Sequence, residues 1–334
     1  MSQTTAQRRS RTAVRRRRLL ATALGAPLVL PMLARAQVRW RPERPITVYN
    51  PLAAGGLTDV HLRFLGERVT RILGQQVLVD VKAGAAATLA AAQMLHAKPD
   101  GHTIACMTVN SLRYPHYQDT NWHPLRDFNY IIGLSAYTFG IVVRSDAPWT
   151  TIADLIAAGR RQPEKLNYGT SGIGGTGHLL MIETELATGA KFTHIPYKGG
   201  AEWMQALLGK HIDFVPDGAQ WAPFVDSGQV RVLAMATEAR FPKFPDAPTL
   251  IESGINAVAH SPYGLVGPKT LPPEIVQSLH DAFKEAMADP AHQALLDKYV
   301  QEVWYKDPQG YRAWAEKYFN EVKPLLVRAG LAKS

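Results

Sequence analysis

Two glycine-rich segments hold the residue types best suited to grip a small molecule. The first is Pro51-Leu52-Ala53-Ala54-Gly55-Gly56-Leu57-Thr58-Asp59, between a β-rich run and an amphipathic one. Small residues let a backbone approach a ligand closely. N–H groups at a helix start attract an anion through unfilled donors and the helix dipole. A carboxylate or phosphate suits this turn; so does a tight connection with no ligand. The second segment is Gly169-Thr170-Ser171-Gly172-Ile173-Gly174-Gly175-Thr176-Gly177-His178. Gly172, Gly174 and Gly177 fit G-x-G-x-x-G, but a dinucleotide fold wants an acid about 20 residues on. The stretch Thr193 to Lys198 has none. Neither turn carries the Gly-Lys-Ser/Thr of a phosphate-binding loop, and Ile173 stands where a nucleophile elbow needs glycine. Ser171 and His178 remain as a nucleophile and base without a clear acid. His178 also reads as a ligand donor, or as a cap or a support behind a site, the latter two preferred. Asp217 follows the β-rich run Ile212 to Val215 and falls at the strand ends where both turns lie. It reads as functional or as a helix cap. The eleven histidines are scattered and form no i, i+4 pair, so no metal site and no cofactor is expected.

The elements that must position these turns alternate. Ile46 and Val48 mark a first strand. A helix follows with Leu62, Leu65, Val69, Ile72 and Leu73 on its apolar face, Thr58 or Asp59 as cap and Gly74 as stop. Strand signals recur at Val77–Val79, Thr103–Met107, Lys165–Tyr168, Phe192–Ile195, Ile212–Val215 and Val230–Ala236. Helix signals recur at Ala87–His96, Ile152–Arg160, from His178, and at Ala201–Leu208. The βαβαβ order predicts mostly parallel sheets covered by helices. Pro242, Pro245 and Pro248 argue for a surface loop. Ile275, Leu279, Phe283 and Ala286 share a helix face that Asp289-Pro290 should stop. Asp307-Pro308 should open a last helix with the stripe Tyr311, Trp314, Tyr318, Val322 and Leu325, read as core.

Charge is placed unevenly. The 334 residues carry a formal charge of +9, yet residues 1–36 hold eight arginines and no acid. Removing those eight from the 37 Lys and Arg leaves 29 basic against 28 acidic residues. The case for a nucleic-acid surface goes with them. Arg15 to Arg18, the apolar stretch Leu19 to Leu33 and Ala34-Arg35-Ala36 read as a signal peptide over 1–36, with Gln37 as the mature start. The stretch is shorter than the ~20 residues of a spanning helix and contains Pro27 and Pro31. Sec and twin-arginine export both fit. Cys106 is the sole cysteine, so no intrachain disulfide is expected in a periplasm.

Five pieces in order then resemble the exported receptors of the tripartite tricarboxylate transporter family, also called the Bug family. Pro51 to Asp59 is similar to its P-F-A-A-G-G-x-T-D turn. Pro99-Asp100-Gly101-His102-Thr103 is similar to its P-D-G-Y-T. Leu166 to Gly172 with His178-Leu179 resembles L-N-Y-G-S-A-G…H-L. Ile195 to Gly199 resembles V-P-Y-K-G, and Asp246 to Thr249 resembles D-V-P-T. The resemblance spans essentially the whole mature chain.

That resemblance implies an α/β, two-lobed periplasmic binding protein of type II-like form, each lobe a mostly parallel sheet flanked by helices. It implies no catalysis and no cofactor. The expected partners are a small carboxylate and the membrane components of a tripartite transporter, with no nucleic acid, and a monomer is expected. Carried over, Leu52, Ala53, Ala54, Gly55, Gly56, Thr58 and Asp59 would serve the ligand from the first lobe, with Thr108, Asn110 and Ser111. Thr170, Ser171, Gly175, Thr176, His178 and Asp217 would serve it from the second. Lobe 1 would comprise 37–144 and 260–334, and lobe 2 145–259, with crossings near Ile141-Val142-Val143 and Tyr263-Gly264-Leu265. Leu52 in place of phenylalanine, Lys82 to Ala86 in place of N-R-P-G-A-G, and Gly218-Ala219-Gln220-Trp221 in place of N-x-P-S depart from the pattern near the cleft. The rival is a periplasmic serine hydrolase using Ser171 and His178.

Overall fold

Apolar runs of helical period alternate with short β-branched runs through residues 40–333, the part of the chain that the computed structural model describes. The first half contains β1 (Ile46–Asn50), α1 (Leu57–Leu73), β2 (Val77–Val81), α2 (Leu89–Met94), β3 (Thr103–Thr108), α3 (Val109–Arg113), β4 (Phe128–Tyr137) and β5 (Phe139–Arg144). Then come α4 (Ile152–Arg161), β6 (Asn167–Thr170), α5 (Thr176–Thr188), β7 (Thr193–Pro196), α6 (Gly200–Leu208), β8 (Phe214–Gly218), α7 (Ala222–Asp226) and β9 (Val230–Met235). The C-terminal part holds β10 (Ser261–Pro268), α8 (Pro273–Met287), α9 (Pro290–Lys298), β11 (Gln301–Lys306) and α10 (Pro308–Arg328). The expected signal peptide and Gln37 lie outside the described residues. No described helix is long and apolar enough to cross a membrane.

Six strands form one sheet in the order β11-β4-β10-β3-β1-β2, and five form another in the order β7-β6-β8-β5-β9. The chain is therefore α/β with two sheets, as expected. The sheets are mixed. β1 pairs in parallel with β2 and β3, and β6 with β7 and β8. β10 is antiparallel to β3 and β4, and β5 is antiparallel to β8 and β9. The reason is connectivity: β5 and β10 each arrive from the other sheet, β5 before its partners β8 and β9 are laid down and β10 after β3 and β4.

The first crossing falls earlier in the chain than expected. Thr138 alone separates β4 of the first sheet from β5 of the second. The return comes just after Ala259, whose N–H still donates to Ala236 of the second unit, and before β10. Ile141 to Val143 and Tyr263 to Leu265 lie inside β5 and β10 instead. The first passage between the sheets is thus at Thr138 rather than at 144, because Phe139–Arg144 finds its ladder partners in the second sheet.

Each sheet has its own core. Ile46, Val48, Leu62, Leu65, Val69, Ile104, Leu279 and Phe283 pack between the first sheet and α1 and α8. Ile141, Leu155, Tyr168, Met181 and Phe214 do so in the second. Burying such a side chain stabilises by about 1.5–3 kcal/mol, so the periodic apolar positions decide which face of each element turns inward. Gly74 takes φ +74° and its N–H closes α1 on Thr70 O at 2.9 Å. At the other end α1 begins at Leu57 behind Gly56, so Thr58 and Asp59 sit inside the first turn and do not cap it. Asp289 does not merely stop α8: its side chain accepts from Ala291 N–H at 2.8 Å and starts α9. Asp307 caps α10 as expected. Tyr311 and Val322 of that helix are core residues.

Candidate ligand-binding site

A cavity of about 60 Å³ is walled by residues of both sheets. That is several times the minimum a single water needs. Its floor draws Leu52, Ala53 and Gly56 from the β1–α1 turn, Thr58 from the first turn of α1, Thr108 from the end of β3 and Asn110 from α3. Ser171, Gly175, Thr176 and Asp217 face them from the second sheet. No Lys, Arg or His lines the cavity, and Asp217 is its one carboxylate. Three helices start at its wall: α1 at Leu57, α5 at Thr176 and α6 at Gly200. Each presents first-turn N–H groups without helical acceptors and the positive end of its dipole.

The first turn is braced from within. Asn50 Oδ1 accepts from Leu52 N–H at 3.1 Å, and Asn50 Nδ2 donates to Asp59 Oδ1 at 3.2 Å. Asp59 Oδ2 accepts from Gly55 N–H at 3.0 Å and from Arg63 Nε at 2.9 Å. Gly56 N–H donates to Ala53 O at 3.2 Å. Burial pushes the Asp59 carboxyl up, but the bonds from Arg63, Gly55 and Asn50 prevail and hold it below its ordinary value. Gly55 turns the chain at φ +73°, where a side chain is strained. Ala54 and Gly55 are exposed at the tip, off the cavity, and Asp59 serves the turn.

The second turn is held by Asp217 and by two stacked imidazoles. Asp217 Oδ2 accepts from Ser171 N–H at 2.7 Å and from Ser171 Oγ at 3.0 Å, and its Oδ1 accepts from Gly218 N–H at 2.7 Å. Burial raises the Asp217 carboxyl, and these bonds only partly restore it. Trp203 Nε1 donates to Ser171 Oγ at 3.3 Å. His178 Nδ1 accepts from Gly174 N–H at 3.0 Å, and its ring stacks on His194 at 4.1 Å. Burial pulls His178 down to about 4, so both nitrogens serve a neutral ring at neutral pH. Thr170 Oγ1 pairs with His194 Nε2 at 2.7 Å behind the turn.

Ten expected residues thus line one cavity: Leu52, Ala53, Gly56, Thr58, Thr108, Asn110, Ser171, Gly175, Thr176 and Asp217. Ala54, Gly55, Asp59, Ser111, Thr170 and His178 do not. The last four are buried or half-buried supports. Sequence reasoning missed Tyr137, Phe139, Trp203 and Gln220 in the wall. Tyr137 Oη pairs with Thr58 Oγ1 across the floor. Only Gln220 had a signal, because it stands in a segment that departs from the family pattern. Thr108 Oγ1 is left without a partner although the residue is only 5% exposed. Ser171 and His178 are not brought together: Ser171 Oγ is engaged by Asp217 and Trp203, and His178 by Gly174 and His194. The hydrolase arrangement does not form. Among the described residues no group of His, Cys, Asp and Glu could hold a metal.

The sequence profile of the tripartite tricarboxylate transporter family receptor matches residues 62–331. The chain belongs to this receptor family. A Cupriavidus necator relative, the UPF0065 protein in the gbd 5′ region, is 43% identical over 315 residues, which cover 94% of this chain and 96% of that one. Among solved structures, periplasmic binding protein BugD is 31% identical with a TM-score of 0.83, over 88% of this chain and 100% of its own. The R. palustris protein Rpa4515, solved with adipate, is 27% identical with a TM-score of 0.83, over 87% and 99%. The receptor thus has the two-lobed fold of periplasmic binding proteins, and nothing in these likenesses favours a hydrolase.

Proposed function

We propose that this receptor captures a small organic carboxylate in the interlobe cavity and delivers it, unchanged, to the membrane components of a tripartite transporter. The observation that carries the reading is the convergence of three helix starts on a cavity without a lining cation. Partial positive charges and N–H donors suit a carboxylate there, and Thr108 Oγ1 awaits a partner beside them. The adipate bound to Rpa4515 supports the same ligand class. Thr58, Thr108, Asn110 and Thr176 are the side chains assigned to it, with Ala53 and Gly56 admitting it closely and Ser171 holding Asp217 and Trp203 in the wall. A micromolar dissociation constant corresponds to about −8 kcal/mol. A few hydrogen bonds to a charged group, at roughly 1.5–3 kcal/mol each, suffice after ordering costs. The lobes in this reading are 40–138 with 260–333, and 139–259. Residues 1–36 are removed on export to the periplasm, and the mature receptor acts as a monomer.

The test is a thermal-shift screen of adipate, succinate, citrate and benzoate, followed by mass spectrometry of the recovered acid. An acid at 100 times its dissociation constant should stabilise the fold by about 2.7 kcal/mol and come back intact. An acid altered by the wild type but not by Ser171→Ala overturns the receptor reading.

A further inference from the structure

Arg113 closes α3 in the first lobe and is only 3% exposed. Among the described residues no carboxylate oxygen lies within 4.0 Å of its guanidinium. Its donors meet neutral oxygens instead. Nε donates to Tyr318 Oη at 2.6 Å, and Nη1 donates to Thr176 Oγ1 at 2.8 Å, with a longer contact to Gly174 O at 3.5 Å. The nearby acid Glu183 on α5 feels this charge but pairs with Arg328 at 3.9 Å. A buried charge without a counter-ion is costly, and in a low-dielectric interior its field reaches further than in water.

The group next to that charge is the hydroxyl of Thr176, which lines the ligand cavity at the start of α5. A hydroxyl has one proton and two acceptor sites. With Arg113 occupying an acceptor site of Thr176 Oγ1, the hydroxyl proton is free to point into the cavity. A cation behind that oxygen makes it a stronger donor. On the same wall, Asp217 is the only carboxylate among the described lining residues, and no described lining cation offsets it.

We propose that Arg113 is the specificity-determining charge of this receptor, a positioning residue that makes the cavity prefer an anionic acid over its neutral isostere by acting through the Thr176 hydroxyl. The proposal rests on the carboxylate-receptor reading. It assigns the acid preference to a residue of the first lobe whose partner belongs to the second.

Calorimetry with three matched pairs tests it: adipate with adipamide, succinate with succinamide, and benzoate with benzamide. Arg113→Met should cost about 10- to 100-fold in affinity for the acid, the scale of one charge-assisted bond, while the amide changes little. Arg113→Lys should restore most of the acid preference, a rescue that a purely structural role would not give. Thr176→Val keeps the charge but removes the relay. It should lower the acid-to-amide ratio too, and it carries the test if Arg113→Met does not fold. An acid-to-amide ratio kept in Arg113→Met, or kept in Thr176→Val when the first variant is unfolded, overturns the assignment of Arg113 alone. A wild-type protein that binds none of the three acids overturns the receptor reading and this proposal with it.

Discussion

Thr108 shows how a single hydroxyl can separate binding from stability. Its Oγ1 is buried in the cavity wall and has no hydrogen-bond partner among the described residues. Removing it therefore breaks no internal hydrogen bond, whereas a ligand oxygen placed there would lose a partner. Thr108→Val should leave the unfolding midpoint of the free receptor unchanged or slightly raised, and weaken binding of the best acid by about tenfold, or roughly 1.4 kcal/mol. Calorimetry and urea unfolding on the same samples check both halves. Unchanged affinity would remove Thr108 from the site. The glycine-rich turn marked Ser171 and Thr176, and the family resemblance added Thr108. They did not distinguish Thr176 from Thr170, six residues earlier. The difference is which neighbour takes the hydroxyl, Arg113 or His194.

At the scale of elements, close approach decides which glycines matter. A Cβ on Gly177 would lie 2.3 Å from Pro216 O, a backbone atom of β8 that cannot turn aside. Gly177→Ala should push α5 off β8 and cost about 1–3 kcal/mol, shifting Thr176 and weakening acid binding as well. A wild-type urea midpoint would show that α5 has room to move. α1 and α9 are joined by another device. His292 Nδ1 bonds Met287 O at 2.9 Å, so His61 Nε2 donates to His292 Nε2 at 2.8 Å, and His61 Nδ1 accepts from Tyr263 Oη at 2.6 Å. Both rings must be neutral in this chain. Burial, then the neighbouring His292, pulls His61 down to about 3. Burial and His178 do the same to His194. The unfolded chain binds protons near 6.5 while the folded one does not. Stability is thus complete above about pH 6.5 and is lost as the pH falls toward 3, by at most about 1.4 kcal/mol per pH unit for each histidine. Urea unfolding from pH 7.5 to 4.5 should show this decline, and His61→Gln should make it shallower. Stability that is flat or rises on acidification would contradict the buried neutral pair.

For the whole molecule, the two crossings at Thr138 and next to His260 are adjacent in the fold, because β4 and β10 pair with Ala136 opposite Pro262. In the proposed two-lobe reading, two strands so placed would serve as the hinge. In the proposed reading, one carboxylate bonded to Thr58 and Thr108 on one side and to Thr176 on the other would favour the closed arrangement by its differential contacts. Solution scattering should give a smaller radius of gyration with saturating adipate, or with whichever screened acid binds best, than without it. Ser171→Ala should lessen the compaction, since the second-lobe wall then loses the hydroxyl that joins Trp203 to Asp217. A radius that does not change with bound acid would leave the binding site standing but remove the clamp.

The sequence by itself determined the local devices: Gly74 as a helix stop, Asp307 as a cap, the apolar face of α1, and two small-residue turns at strand-to-helix junctions. These depend on neighbours within a few residues, which the order of residue types records directly. The family pattern added the two lobes and the ligand class. The tertiary structure alone decided the rest. β4, a buried run with no alternation, and β11 gave no strand signal, because their partners β10 and β4 are distant in the chain. β5 looked like a crossing until its ladder partners were known. The N–H groups of Gly55 and Gly56, expected to face an anion, are taken by Asp59 and Ala53. Arg113, more than 60 residues from Thr176, had no local reason to be noticed. Long-range partners assign each donor, and only the assembled fold brings those partners within bonding distance.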